Sequence, residues 1–184
     1  MSVVGLLLAA GSGSRYGRPK ALVDDWLSNA AKALRQGGCD PVIVVLGAGA
    51  AEAARRLPPE AKVVVAKDWS EGMSASLRAG LTAALDTVAA AALVHLVDLP
   101  DVGAAVVRRV RSEAEPQALA RATYRGIPGH PVLLGRAHWR DVIAGSAGDE
   151  GARSYLRSRS VVAVECADLA RGADVDLSDG RKRP

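Results

Sequence analysis

Residues 6–20 read Leu6-Leu7-Leu8-Ala9-Ala10-Gly11-Ser12-Gly13-Ser14-Arg15-Tyr16-Gly17-Arg18-Pro19-Lys20. The apolar run that begins at Val3 stops after Ala10, at a loop rich in glycine and serine that carries Arg15, Arg18 and Lys20. A short apolar run bounded by glycine predicts a buried strand. The loop behind it offers backbone N–H groups to an anion, and its three cationic side chains can neutralise that anion. A strand feeding such a loop is a common way for open α/β sheets to hold a polyphosphate.

Outward from this stretch, short apolar runs alternate with amphipathic or Ala-rich segments. The pattern predicts strands over 3–9, 42–46, 62–66, 91–97, 117–122 and 161–165, and helices over 24–36, 50–57, 74–88, 103–114, 136–144 and 150–158. Gly37-Gly38, Pro58-Pro59 and Pro128-Gly129 read as stops. Such alternation predicts βαβ units in one α/β domain over 1–184, with a mostly parallel sheet and a polar tail from Ala170 that frays.

Composition narrows the function classes. Net charge is +4 from 24 basic and 20 acidic residues, too small by itself to argue for nucleic acid, and only Arg181-Lys182-Arg183 forms a basic cluster, so no nucleic-acid partner is expected. With three Trp, three Tyr and no Phe there is no aromatic platform for single strands. The apolar stretch Thr87 to Val97 is too short to span a membrane and contains His95. Cys39 and Cys166 have neither metal-site spacing nor the look of a secreted disulfide framework, and no signal-peptide pattern opens the chain, so a reducing cytoplasm is the expected setting.

Three phosphate-binding patterns compete for the glycine loop. A P-loop requires Gly-Lys-Ser/Thr, whereas Gly17 is followed by Arg18-Pro19-Lys20. A dinucleotide fingerprint requires Gly-x-Gly-x-x-Gly, and Gly11, Gly13 and Gly17 are one residue too widely spaced. The run Val42 to Leu46 also ends in Gly47-Ala48-Gly49 rather than in the acid that would hold a ribose. The third pattern, LAAGxGxRxGxPK, matches Leu8 to Lys20 at every fixed position.

On these residues the chain resembles the nucleotidyltransferases of the molybdenum-cofactor type, the MobA-like family, and most closely the branch that transfers CMP to molybdopterin-type cofactors. The resemblance implies a Rossmann-like three-layer α/β/α sandwich like that of nucleotide-diphospho-sugar transferases. It implies that the loop wraps a nucleoside triphosphate, with Arg15 and Lys20 on the phosphates, and with Leu8, Ala9, Ala10, Gly11 and Gly13 around the nucleotide. An Ala-Ala-Gly turn goes with cytosine in this family, so Ala9-Ala10-Gly11 points to CTP.

Three further segments carry the resemblance. Trp69-Ser70-Glu71-Gly72-Met73-Ser74-Ala75-Ser76-Leu77-Arg78-Ala79-Gly80-Leu81 reads by itself as a helix capped by Ser74; by resemblance Ser74, Ser76 and Gly80 lie near ribose and base. Val94-His95-Leu96-Val97-Asp98-Leu99-Pro100 puts a carboxylate at the end of a buried strand. There it either caps the helix near Val102 or, as in the family, binds Mg²⁺. His95 reads as core. Tyr124 to Val132 reads as a polar loop before a strand, and the family's Gly-x-x-Gly-His-Pro pattern makes Gly129 and His130 candidates for the phosphorylated pterin acceptor. Asp149 reads as a helix cap, and Arg153 as either an acceptor-phosphate ligand or the partner of an acid. In Asp174-Val175-Asp176, Asp176 is the second expected metal ligand, by resemblance to a terminal acidic motif.

One departure stands out. Ala21-Leu22-Val23 runs directly into Asp24-Asp25-Trp26, so the hairpin that the family has after its loop lysine is missing or shortened. The implied reaction is Mg²⁺-dependent transfer of CMP from CTP to a phosphorylated acceptor with release of pyrophosphate. The alternatives are another phosphorylated acceptor, or a non-catalytic partner that delivers a cofactor to a molybdoenzyme.

Overall fold

The computed structural model describes residues 1–175. In chain order the elements are β1 (Val3–Ala9), α1 (Trp26–Gln36), β2 (Val42–Leu46), α2 (Ala50–Ala54), β3 (Lys62–Val65), α3 (Met73–Ala84) and β4 (Ala91–Leu96). Then follow α4 (Ala104–Arg111), β5 (Leu119–Tyr124), β6 (Ile127–Gly135), α5 (Trp139–Gly145), α6 (Arg153–Arg157) and β7 (Val162–Glu165). The strands form one sheet in the order β3-β2-β1-β4-β6-β5-β7. Every pairing is parallel except the two made by β6, which runs antiparallel to β4 and β5.

Strand alternation sends side chains to two separate cores. Val3, Leu7 and Ala9 of β1 pack with Leu27 and Leu34 of α1 and Val106, Val107 and Val110 of α4. Val4, Leu6 and Leu8 pack with Leu77 and Leu81 of α3, Trp139 and Val142 of α5, and Leu156 of α6. β1 is buried along its whole length because helices cover both faces, which explains a run apolar at nearly every position. The result is the expected three-layer α/β/α arrangement. Between β1 and β4 the chain changes face, since α1 follows β1 on one side and α3 precedes β4 on the other. Open sheets bind ligands beyond the carboxyl ends of their strands at such a switch point.

The strand β6 corrects the reading of residues 127–130 as a loop and of Pro128-Gly129 as a stop. Pro128 needs no ladder donor at this outer end, and the turn at Arg125-Gly126 folds β6 back on β5. Glu165 fastens that turn: its carboxylate accepts from the N–H groups of Arg125, Gly126 and Ala167 and from the Thr123 hydroxyl, which hold it well below the usual carboxylate range. The segment read as one helix over 150–158 is a 3-10 turn at Gly148–Glu150 followed by the short α6. No helix among the described residues is long and apolar enough to cross a membrane.

His95 lies in β4 and is fully buried, and neither ring nitrogen has a partner among the described residues. Burial, with a smaller contribution from His130, pushes its pKa down to about 3, so it is neutral at neutral pH. The unfolded chain takes up this proton near pH 6.5 and the folded chain does not, so stability is full above pH 6.5 and falls as the pH drops below it. The melting temperature is therefore expected to fall less steeply between pH 6.5 and 4 in His95→Leu than in the unaltered protein. Equal slopes would contradict the placement of this ring.

Candidate active site

A cavity of about 710 Å³ opens at the carboxyl edge over β1 and β4. One wall is the end of β1 and the loop from Gly11 to Tyr16, with Lys20. Trp69, Ser70, Gly72, Met73 and Ser76 form a second side, Leu96 to Leu99 the floor, and Pro128 to His130 with Arg153 the far end.

The loop is shaped by its own backbone. Gly13 has a φ of +64°, and a Cβ there would meet the carbonyl of Arg18, so only glycine suits the turn. The N–H groups of Tyr16 and Gly17 both donate to the Gly13 carbonyl, at 2.9 and 2.8 Å. The missing hairpin is replaced by a single 3-10 turn at Lys20–Leu22 that leads to α1. Trp26 at the start of α1 receives Tyr16 edge-on, with ring centroids 5.6 Å apart, so two aromatic rings tie the shortened segment to the loop.

Lys20 reaches across the cavity floor. Its Nζ donates to Asp98 Oδ2 at 2.7 Å, with the two side chains only 15% and 17% exposed. Asp98 does not cap the helix that follows, because α4 begins after Gly103 and has no side-chain cap.

The second segment differs in detail from its sequence reading. The helix α3 begins at Met73, and Ser74 is not its cap. Ser74 is buried, and its hydroxyl accepts from the Gly151 N–H at 3.1 Å. Asp149 Oδ1 accepts from the Met73 N–H at 3.3 Å, so Asp149 serves the N-terminus of α3 rather than its own helix. Together the two bonds fix the loop that presents Arg153. Gly80 packs against Val45 and Leu6 where helix meets sheet. Neither Ser74 nor Gly80 lines the cavity, in contrast to the expectation for both; Ser76 does. Trp69 lies over Gly47, where a Cβ would come within 2.5 Å of the indole and 2.6 Å of the Ala10 carbonyl. Gly47 thus makes room for an indole beside the Ala9-Ala10 turn.

At the far end, Gly129 packs against the Tyr124 ring, and the Tyr124 hydroxyl donates to the His130 carbonyl at 2.7 Å. Burial lowers the His130 pKa to about 4, with Arg153 and Arg121 pushing the same way against the opposing Asp174. The ring is a neutral donor and acceptor near pH 7. The segment after β7 returns to the site: the Arg171 N–H donates to Asp101 Oδ2 and the Val175 N–H to the Asp98 carbonyl. This places Asp174 in the cavity lining, whereas Asp176, the expected second metal ligand, lies outside the described residues.

The charges in the lining bear on metal use. Three cations (Arg15, Lys20, Arg153) face three carboxylates (Asp98, Asp149, Asp174), so these side chains leave no net positive charge to offset a triphosphate. No group of three metal-ligating side chains occurs among the described residues. One or two carboxylates beside a phosphate site suit a hard divalent cation that takes its other ligands from phosphate and water. Asp98 and Asp174 fit that role.

Residues 5–164 match the MobA-like NTP transferase domain. The chain belongs to this family. It is a nucleotidyltransferase of the MobA-like kind. Nicotine blue oxidoreductase of Paenarthrobacter nicotinovorans is 36% identical over 189 residues, covering 95% of this chain and 92% of that protein. Among solved structures, the homologue of Mycobacterium tuberculosis Rv0371c from Mycobacterium sp. strain JC1 superposes with a TM-score of 0.84 at 29% identity, over 97% of this chain and 92% of that one. Rv0371c of M. tuberculosis H37Rv in complex with manganese gives a TM-score of 0.73 at 27% identity, over 90% and 89% of the two chains.

The structure thus brings Leu8 to Gly11, Gly13, Arg15, Lys20, Ser76, Asp98, Gly129, His130 and Arg153 to one cavity. Sequence reasoning missed Tyr16, Trp69 and Asp174. Trp69 stood in view at the head of the second segment, and Asp174 two residues before the acid that was chosen. Asp149→Ala is expected to destabilise the protein by about 1 kcal/mol, the usual cost of a lost helix N-terminal partner, and to speed amide exchange over 148–153. An unchanged exchange pattern would show that Asp149 does not hold this loop.

Proposed function

We propose that the protein transfers CMP from CTP to a phosphorylated acceptor of the molybdopterin class, releasing pyrophosphate, with a divalent cation such as Mg²⁺. The observation that carries this reading is the continuity of one cavity from the glycine loop, past Asp98, to His130 and Arg153. It gives a triphosphate and an acceptor separate ends, with the point of transfer between them. The loop N–H groups, Arg15 and Lys20 neutralise the phosphates. The Ala9-Ala10-Gly11 turn and the nearby Trp69 support a pocket for a one-ring base. His130 and Arg153 receive the acceptor, whose terminal phosphate is already anionic near pH 7, so no general base is required. A divalent cation held by Asp98, with Asp174 beside it, supplies further neutralisation of charge on the phosphates. Catalysis then comes from placing two anions in line and offsetting their repulsion.

A thermal-shift panel of CTP, GTP, UTP and ATP, with and without Mg²⁺, tests the nucleotide. CTP with Mg²⁺ is expected to give the largest rise in melting temperature, and a larger rise with another triphosphate would overturn the choice of base. With CTP and a pterin phosphate, Lys20→Ala is expected to lower kcat by about 100- to 1000-fold, the scale for removing one charge-stabilising donor. Asp98→Asn is expected to abolish metal-dependent pyrophosphate release. Turnover unchanged in either variant would contradict the assignment, and CTP binding without pyrophosphate release would point to a delivery partner.

A second reading rests on the relative named as an oxidoreductase. A reaction of that class needs an electron donor, and a nicotinamide dinucleotide would have to bind without the Gly-x-Gly-x-x-Gly spacing. Consumption of NADH or NADPH with nicotine blue, followed at 340 nm, would favour this reading. Its absence together with pyrophosphate release from CTP favours nucleotidyl transfer.

A further inference from the structure

Ser74 and Arg78 stand four residues apart on α3, which puts them on one face of the helix. Both hold the segment that runs from the end of α5 to the start of α6. The Ser74 hydroxyl accepts from the Gly151 N–H at 3.1 Å, and Arg78 Nη1 donates to the Ser146 carbonyl at 3.0 Å. Between these two bonds, Asp149 reaches the Met73 N–H, and a Cβ on Gly72 would collide with the Asp149 carboxylate and the Gly148 carbonyl. Residues 146–151 therefore lie directly against the turn that precedes α3.

Arg78 also holds that turn. Its Nη2 donates to Asp68 Oδ2 at 3.0 Å and to Glu71 Oε2 at 3.2 Å. These two acids flank the 3-10 turn Trp69–Glu71, whose Trp69 and Ser70 line the cavity. Asp149, on the other segment, lines it as well. Acceptors from two stretches of chain about 75 residues apart thus meet on one partly buried guanidinium, which does not line the cavity itself. A planar guanidinium can serve all three in fixed directions, whereas an ammonium at the same place keeps the charge but not the fork of donors.

We infer that Arg78 is a positioning residue for the transfer: it fixes the Trp69 turn and the Asp149 segment to one face of α3, and so sets the spacing between the nucleotide side and the acceptor side of the cavity. This rests on the transferase reading above for the roles of the two sides. In-line transfer depends steeply on that spacing, since a misplacement of about 1 Å costs about 100-fold in rate. Substrate affinity depends on it less, because Arg78 touches neither substrate.

The test compares Arg78→Lys with Arg136→Lys in the full chain. Arg136 is the control because it also makes three hydrogen bonds, to the carbonyls of Leu85, Thr87 and Ala89, before the amino end of β4 and away from the cavity. With CTP, Mg²⁺ and a pterin phosphate, Arg78→Lys is expected to lower kcat about 10- to 100-fold and to leave KM for CTP within about threefold. Arg136→Lys is expected to leave kcat within about twofold whatever it does to the melting temperature. Amide exchange is expected to rise over both 69–73 and 147–151 in Arg78→Lys, and over neither in Arg136→Lys. If Arg78→Lys does not fold, Asp68→Ala with Glu71→Ala carries the test: kcat falls as above, and exchange rises over 69–73. Full kcat in Arg78→Lys, or losses of kcat in the two lysine variants that simply follow their melting temperatures, would overturn the inference. So would a rise in exchange over only one of the two segments in Arg78→Lys. Absence of pyrophosphate release from the unaltered protein would overturn the transferase reading, and a joint rise in exchange would then still support Arg78 as the residue that joins the two segments.

Discussion

The site is organised around the 2.7 Å bond from Lys20 to Asp98. It joins the far end of the glycine loop to the end of β4, across the line where the chain changes face, and it is mostly shielded from water. A lysine and a carboxylate so placed offset part of the cost of burying each other's charge. The bond sets the positions of two groups that the proposed function places on the phosphates and on the cation.

What surrounds the pair follows from keeping both ends in place. The loop holds its shape through Gly13 and through Tyr16 against Trp26, which together make up for the hairpin that this chain lacks. The floor is held by β4 and by the segment that returns to bond the Asp98 carbonyl through Val175. The opposite end is built on strand rather than on free loop, since Pro128, Gly129 and His130 stand in β6. Asp149 and Ser74 tie the segment that leads into Arg153 to α3 through two hydrogen bonds.

Much of this was legible in the sequence because it rests on local chemistry. The strand-to-loop switch at Ala10, the positive-φ turns at Gly13 and Gly17, and the acid Asp98 at the end of an apolar run are each set by residues adjacent in the chain. The strand β6 was not legible, because Pro128, Gly129 and Pro131 carry turn signals that only pairing with Tyr124 and Val94 overrides. Ser74 has the residue type of a cap but is buried, so its hydroxyl bonds to a segment 77 residues away. Asp149 likewise gains its role from a partner distant in sequence, the Met73 N–H. Gly80 was read through resemblance alone, and the packing of α3 on β1 and β2 explains why a residue without a side chain is needed there.

The most direct test follows the phosphorus atoms of CTP. In reactions with Mg²⁺ and a pterin phosphate acceptor, CTP labelled at the α-phosphorus and CTP labelled at the γ-phosphorus are compared. The account predicts that the α label moves to the acceptor product while the γ label leaves as pyrophosphate, in equal amounts. Both labels remaining together in CTP, or the γ label leaving as single phosphate, would contradict it.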